Sequence, residues 1–456
     1  MNPYQPEFQQ QQQYFASGVS RSLQWRRQQL QAMRQMLQNH QQEWQDALQQ
    51  DLGKAPFESW LTEIAYLDAE IRHTLSSLKK WSNARRVKAP LMLWPSMAYV
   101  QPEPYGVMLI IGAWNYPLQL ALGPLVPAIA AGNMAVIKPS ELSPATSALI
   151  ARLIPRYLDA QAVRVVEGAV AETTALLELP FDYLMYTGNG QVGKIVMRAA
   201  AEHLTPVTLE LGGKSPVYVD ASANIQLTAQ RLAWGKWLNA GQTCIAPDYV
   251  LVHKDVEQQL IDALQQQIKQ MFGDDPQQSP DYGRIVNSRH LQRILGYLQH
   301  QPKVLGGKFD EADRYIEPTL VLDPAPDSPL MQQEIFGPLL PVLTVSNFNQ
   351  AIEFIRSREK PLAAYLFSAD STQQQLWVDR VSSGSQCIND VILFMAVAEL
   401  PFGGTGPSGM GQYSGKAGFD QFSHLKSVLR RTFLPEPPLR FAPYQSWKQR
   451  VLGWLR

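Results

Sequence analysis

Between Val107 and Phe367 short runs of consecutive apolar residues alternate with longer segments whose apolar positions recur at helical spacing. Val107-Met108-Leu109-Ile110-Ile111, closed by Gly112, is the first such run, and its lack of polar alternation predicts a strand buried on both faces of a parallel sheet. Met134–Lys138, Val163–Val166 and Tyr183–Tyr186 predict the next strands. Helices are expected between them: Leu118–Ala131 reads as one apolar helix, and Ser143-Pro144 sets an N-cap serine before a proline at the first helical position. The alternation predicts a doubly wound α/β sheet. Strand-like runs at Val207–Leu211, Pro216–Val219, Tyr249–Val252, Leu320–Leu322, Pro341–Thr344 and Ala364–Phe367, with helical runs such as Val256–Phe272 and His290–Gln299, predict a second α/β unit.

The flanks have a different texture. Residues 5–50 are rich in glutamine, yet Phe15, Val19, Leu23, Leu30, Met33, Leu37, Trp44 and Leu48 fall at roughly helical spacing and predict amphipathic helices. Trp60–Trp81 predicts another, with Tyr66 on it. Pro90, Pro95, Pro102 and Pro104 punctuate a basic connector that reads as an extended excursion. Beyond Phe422 the chain is basic and proline-rich, ending in Trp and Leu mixed with Lys and Arg.

At 456 residues, two or three domains of ~150 residues are expected. Forty basic residues balance forty acidic ones, which removes any footprint for nucleic acid. Two cysteines cannot build a disulfide framework and suit a reducing compartment. The polar start, MNPYQPEFQQQQQ, has no apolar core of a signal peptide, and no apolar run nears the ~18–20 residues that span a bilayer. The expectation is a cytoplasmic protein. Seven histidines without an HExxH-type pair leave no metal site local in sequence.

Candidate chemistry centres on Asn239-Ala240-Gly241-Gln242-Thr243-Cys244. Small and polar neighbours leave the thiol reachable, and Gly241 lets backbone approach a ligand closely. In Leu209-Glu210-Leu211-Gly212-Gly213 a lone carboxylate sits among apolar residues, where desolvation would raise its pKa toward that of a neutral-pH base; an ion pair at a strand end is the alternative. Trp114-Asn115-Tyr116-Pro117 follows the first strand, at the edge where ligands collect, so Asn115 is placed either to donate to an oxyanion or to cap the next helix. Lys138 and Glu141 share that edge, as ribose partners or as surface charges. Thr187-Gly188-Asn189-Gly190-Gln191-Val192-Gly193 is a glycine-bearing strand-to-helix turn suited to an anion, though it matches neither GxGxxG nor the Walker pattern. Glu334-Ile335-Phe336-Gly337-Pro338 and the loop 401–411 are further close-approach segments. Cys387 reads as structural.

Together and in this order, WNYP (114–117), KPSELSP (138–144), YTGNGQVG (186–193), LELGGKSP (209–216), NAGQTCIAPDY (239–249), EIFGP (334–338) and PFGGTGPSGMG (401–411) resemble the NAD(P)-dependent aldehyde dehydrogenases. CIAPDY and the ending QFSHLKS resemble the class 3 branch, which includes fatty and aromatic aldehyde dehydrogenases. The resemblance implies two Rossmann-like domains: residues 1–84 and 105–209 for NAD(P), 210–411 for catalysis. Segments 85–104 and 412–430 would bridge a homodimer, leaving 431–456 as a tail. Cys244 would be the nucleophile, Asn115 the oxyanion donor and Glu210 the base that activates water. Trp114, Lys138, Glu141, Thr187, Gly188, Asn189, Val192, Gly193, Leu211, Glu334 and Phe336 would meet the cofactor, NAD with NADP tolerated. Asn189 stands where the family usually has Ser, which puts detailed phosphate contacts in question. Tyr66, Tyr116 and Leu238 match the family's substrate tunnel, and with the apolar stretch Phe394–Ala398 they imply apolar aldehydes. Relatives that pass the acyl group to coenzyme A generally lack the base, so Glu210 argues for hydrolysis. Some class 3 relatives carry a longer membrane anchor; here residues 447–456 are expected to pack on the body or at most touch a membrane surface.

Overall fold

The computed structural model describes residues 2–434 and 436–454. Two mainly parallel sheets form its centre. In the first, the strand order is Gly409–Met410, Val207–Glu210, Tyr183–Thr187, Val107–Ile111, Met134–Lys138, Val163–Val165. The strands are parallel except Gly409–Met410, which runs antiparallel and pairs Gly409 with Glu210. Successive strands are laid down on opposite sides of Val107–Ile111, so a crevice opens at the carboxyl ends of that strand and Tyr183–Thr187.

The second sheet runs Lys303–Leu305, Thr319–Leu322, Leu339–Val345, Tyr249–His253, Pro216–Val219, Ala363–Phe367, Ser385–Ile388, with only the first strand antiparallel. Val107–Ile111, Met134–Lys138 and Ala363–Phe367 are buried along their whole length, as their unbroken apolar character requires. A third, antiparallel sheet joins Arg85–Val87, Ser96–Pro104 and Ser423–Arg431. The proline-punctuated excursion is thus a strand, held by a nine-residue register from Ser423 opposite Pro104 to Arg431 opposite Ser96.

Three expectations change. The single helix over 118–131 is two, Pro117–Leu122 and Leu125–Ala131, because Pro124 has no N–H to continue the ladder after Gly123. Ser143 does occupy the N-cap position of Pro144–Tyr157, but its hydroxyl donates to the Trp114 carbonyl at 2.8 Å instead of capping. Asp51 takes the cap: its carboxylate accepts from Ala145 N (3.0 Å), Thr146 N (2.8 Å) and Thr146 Oγ1 (2.7 Å). The stretch from Trp60 opens as a π-helical turn, Trp60–Ile64, before the α-helix Ala65–Ser82.

Candidate active site

Cys244 follows the helix Ile225–Trp237 through a turn that few sequences tolerate. Asn239 (φ 52°), Ala240 (φ 51°) and Gly241 (φ 76°) are successive left-handed residues, costing of order 1–3 kcal/mol for each non-glycine. At Gly241 a Cβ would stand 2.2 Å from the Gly337 carbonyl oxygen. Buried side chains hold the turn. Asn239 Nδ2 donates to the carbonyls of Asn115 (2.7 Å) and Gln242 (3.1 Å). Gln242 Nε2 donates to Asn239 O (3.0 Å) and Arg284 O (2.9 Å), and its Oε1 accepts from Val286 N (2.9 Å).

Asn115 leaves the carboxyl end of Val107–Ile111 and is buried. Its amide does not cap the following helix, whose first N–H groups, from Leu118 and Gln119, are taken by Glu63. Instead Asn115 Nδ2 donates to Gln242 O at 3.0 Å, which fixes the amide against the nucleophile turn. Tyr116, next in sequence, shares a 2.7 Å hydrogen bond with Thr243 Oγ1. Residues far apart in the chain, 115–116 and 239–244, therefore form one rigid piece.

Glu210 is buried, and neither carboxylate oxygen has a hydrogen-bond partner among the described residues. The ion-pair alternative does not hold. Burial alone pushes its carboxyl well above the usual range. The Cys244 thiol is also raised, first by burial and then by the charges of Glu334 and Glu210, while the backbone N–H groups of Cys244 and Ile245 pull it down. Glu334 is pushed up to about 8 by burial and by Asp248, against the opposing Gly213 N–H, Arg293 and Lys214. A thiol and two acids thus share one desolvated neighbourhood that favours their protonated forms.

The crevice beside Val107–Ile111 collects the other candidates. Trp114 packs against Phe336 (centroids 5.3 Å apart) and His290 (5.0 Å), a histidine held neutral to about pH 4, mainly by burial. Lys138, almost fully buried, pairs with Glu141 at 2.8 Å and is no ordinary surface charge. Thr187 Oγ1 is buried without a partner among the described residues. Asn189 is the N-cap of Gly190–Glu202, accepting from Val192 N at 3.0 Å, so its side chain is engaged locally. Gly188 lies just before this helix, Gly193 is buried within its first turn, and Leu211 N donates to Ser408 O at 3.1 Å. At Gly212 a Cβ would sit 2.1 Å from the Glu334 carboxylate, whose other oxygen has no partner among the described residues. Orphaned acceptors, a neutral histidine, a buried lysine paired with an exposed glutamate, and a helix N-terminus make a donor and acceptor set that suits a dinucleotide.

Tyr66 and Leu238 are half-buried, Leu238 at the start of the nucleophile turn. Tyr413 escaped the sequence reading. It is buried, its hydroxyl without a partner among the described residues, within electrostatic reach of Tyr66, Glu210 and Cys244. It ends a row of aromatics: Tyr365, Phe394, Phe402 and Tyr413 follow one another at 6.4, 6.3 and 5.7 Å between centroids. Tyr365 anchors the other end, its hydroxyl donating to the Ile245 carbonyl at 2.5 Å. The only hint in sequence was position, directly after the glycine-rich loop 401–411.

Residues 9–428 match the model of the aldehyde dehydrogenase family. Aldehyde dehydrogenase family 3 member B1 of Rattus norvegicus is 48% identical over 99% of this chain and 97% of its own length. Family 3 member A2 of Mus musculus is also 48% identical, over 96% of this chain and 90% of its own. The dimeric NADP-preferring aldehyde dehydrogenase of Rattus norvegicus is 47% identical, over 92% and 93%. A solved structure, the substrate-bound state of Staphylococcus aureus AldH, superposes with a TM-score of 0.97 at 44% identity, covering 100% of both chains.

Proposed function

The chain belongs to the aldehyde dehydrogenase family and oxidises aldehydes with NAD or NADP; from this premise we propose that its substrates are apolar aldehydes, released as carboxylic acids after thioester hydrolysis. One observation carries the reading: the turn bearing Cys244 is hydrogen-bonded to Asn115, while Glu210 stands unpartnered in the same desolvated space.

Cys244 releases its thiol proton to solvent and adds as the thiolate to the aldehyde carbon, and the new oxyanion is held by the Asn115 amide and the Cys244 backbone N–H, donors fixed before charge develops. NAD or NADP, when bound, would supply the hydride acceptor that oxidises this adduct to a thioester on Cys244. Glu210 then takes a proton from water, which adds to the thioester and expels the Cys244 thiolate. Lys138 and Glu141 would hold the adenosine ribose, and Glu334 and Phe336 the nicotinamide end. Trp114, Thr187, Gly188, Asn189, Val192, Gly193 and Leu211 would line the rest.

Tyr66, Tyr116 and Leu238 would wall the aldehyde's path, now joined by Tyr413. Each buried CH₂ is worth ~0.8 kcal/mol, about a fourfold rise in kcat/KM per carbon until the tunnel ends. Reduced cofactor should appear with decanal faster than with acetaldehyde, and not at all with Cys244→Ala. A flat ranking from acetaldehyde to decanal would overturn the apolar preference.

The cysteine usage supports a cytoplasmic site of action. The third sheet, which leaves Val87, Met97, Leu425 and Leu429 exposed, supports a homodimer built on 85–104 and 412–430. In the tail, the helix Ser446–Trp454 exposes Trp454 but buries Lys448, whose Nζ donates to Phe441 O at 2.8 Å. Residues 455 and 456 lie outside the described residues, and no described helix is long and apolar enough to cross a membrane. The tail is read as packed on itself, with at most weak contact to a membrane surface.

A further inference from the structure

Ten residues near the N-terminus, 54 to 63, send three charged side chains into the wall behind Asn115 and Asn239. Lys54 and Glu63 are paired at 2.5 Å with both side chains wholly buried. Lys54 Nζ also donates to the Asn115 carbonyl at 3.1 Å and sits 3.9 Å from the centre of the Tyr116 ring. The other oxygen of Glu63 accepts from Leu118 N (2.9 Å) and Gln119 N (3.1 Å), fixing the start of the helix that follows Asn115. Glu58, buried one helical turn away, accepts from Asn239 N at 2.9 Å, the first left-handed residue of the nucleophile turn. Glu63 reaches its place from the π-helical turn Trp60–Ile64, a widened turn that often marks functional positions.

An ion pair this deep adds little net stability over an apolar pair of equal volume, because desolvation offsets the attraction. What it does supply is geometry. The Asn115 carbonyl is gripped by Lys54 and Asn239 together, and Asn239 is gripped in turn by Glu58. We propose that Lys54, Glu58 and Glu63 are positioning residues for the oxyanion donors, acting through Asn115 and Asn239. The proposal rests on the reading of Asn115 as an oxyanion donor. Removing any of the three would leave cofactor binding intact and slow the chemistry, since a misplacement of order 1 Å costs about a hundredfold in rate.

The test is steady-state kinetics on Lys54→Met, Glu58→Ala, Glu58→Gln, Asn115→Ala and the double variant Lys54→Met/Asn115→Ala, with cofactor affinity measured alongside. Lys54→Met and Glu58→Ala should lower kcat by about ten- to a hundredfold with the dissociation constant for NAD unchanged. Glu58→Gln keeps an acceptor for Asn239 N and should restore most of the rate. The double variant should be no slower than Asn115→Ala alone, because both changes act at one group. Losses that multiply in the double variant, or an unchanged kcat in Lys54→Met beside a slow Asn115→Ala, would overturn the proposal. A wild-type rate in Asn115→Ala would instead remove the oxyanion reading itself, and this inference with it. Should Lys54→Met fail to fold, the Glu58 pair decides: slow Ala with restored Gln supports the proposal, and equal rates in the two overturn it.

Discussion

A carboxylate can serve as a base only while ionised, and Glu210 is placed where ionisation is hard. Its pKa is raised by burial, so the ionised fraction grows only above the ordinary carboxylate range. The sign is definite: kcat should fall as pH drops, along a limb lying higher than an exposed glutamate would give, and rise toward alkaline pH. Glu210→Gln should erase that limb and lower kcat by about 10²- to 10⁴-fold while a first burst of reduced cofactor survives. A wild-type kcat that stays flat down to about pH 5 would contradict it. At this scale Cys244, Glu210 and Asn115 were legible because thiol, carboxylate and amide carry chemistry by type. Which of two readings each took was not. Asn115 could cap or donate, and Glu210 could pair or stand alone; Glu63 decides the first and the lack of any hydrogen-bond partner among the described residues the second. Tyr413 and Lys54 were illegible, since a tyrosine or a lysine acquires a role only from neighbours brought by distant chain.

Among elements, the turn 239–241 sets three successive left-handed residues just before the thiol. Gly241→Ala would combine a left-handed φ with a Cβ 2.2 Å from a backbone oxygen, so neither atom yields cheaply. The expected result is a loss of about 1–3 kcal/mol of stability, read from the denaturant midpoint, together with a larger fall in kcat than in cofactor affinity. A variant as stable and active as the parent would mean the turn relaxes. Long buried strands were readable from apolar runs: Met134–Lys138 has the bounds its sequence suggests. Lys303–Leu305 and Gly409–Met410 were not, since two or three residues at a sheet edge show no period. The break after Leu122 was written in Gly123-Pro124, a signal masked by apolar residues on both sides.

For the whole molecule, the third sheet is thin, with much of its surface in water. Leu425 and Leu429 lie on Ser423–Arg431, 45% and 50% exposed, four residues apart on one face of the strand. In the proposed dimer they are covered, so Leu425→Asp/Leu429→Asp should shift the sedimenting species toward monomer; a monomeric parent protein would dispose of the idea. The pairing of Gly409 with Glu210 has another consequence. The last strand of the first sheet is contributed by chain that has already traversed the second, so the two sheets are sewn together beside the base. A seam at that place opposes an open-and-shut, book-like motion between the two halves. Heat should then melt both sheets in one transition, where calorimetry would show a single peak.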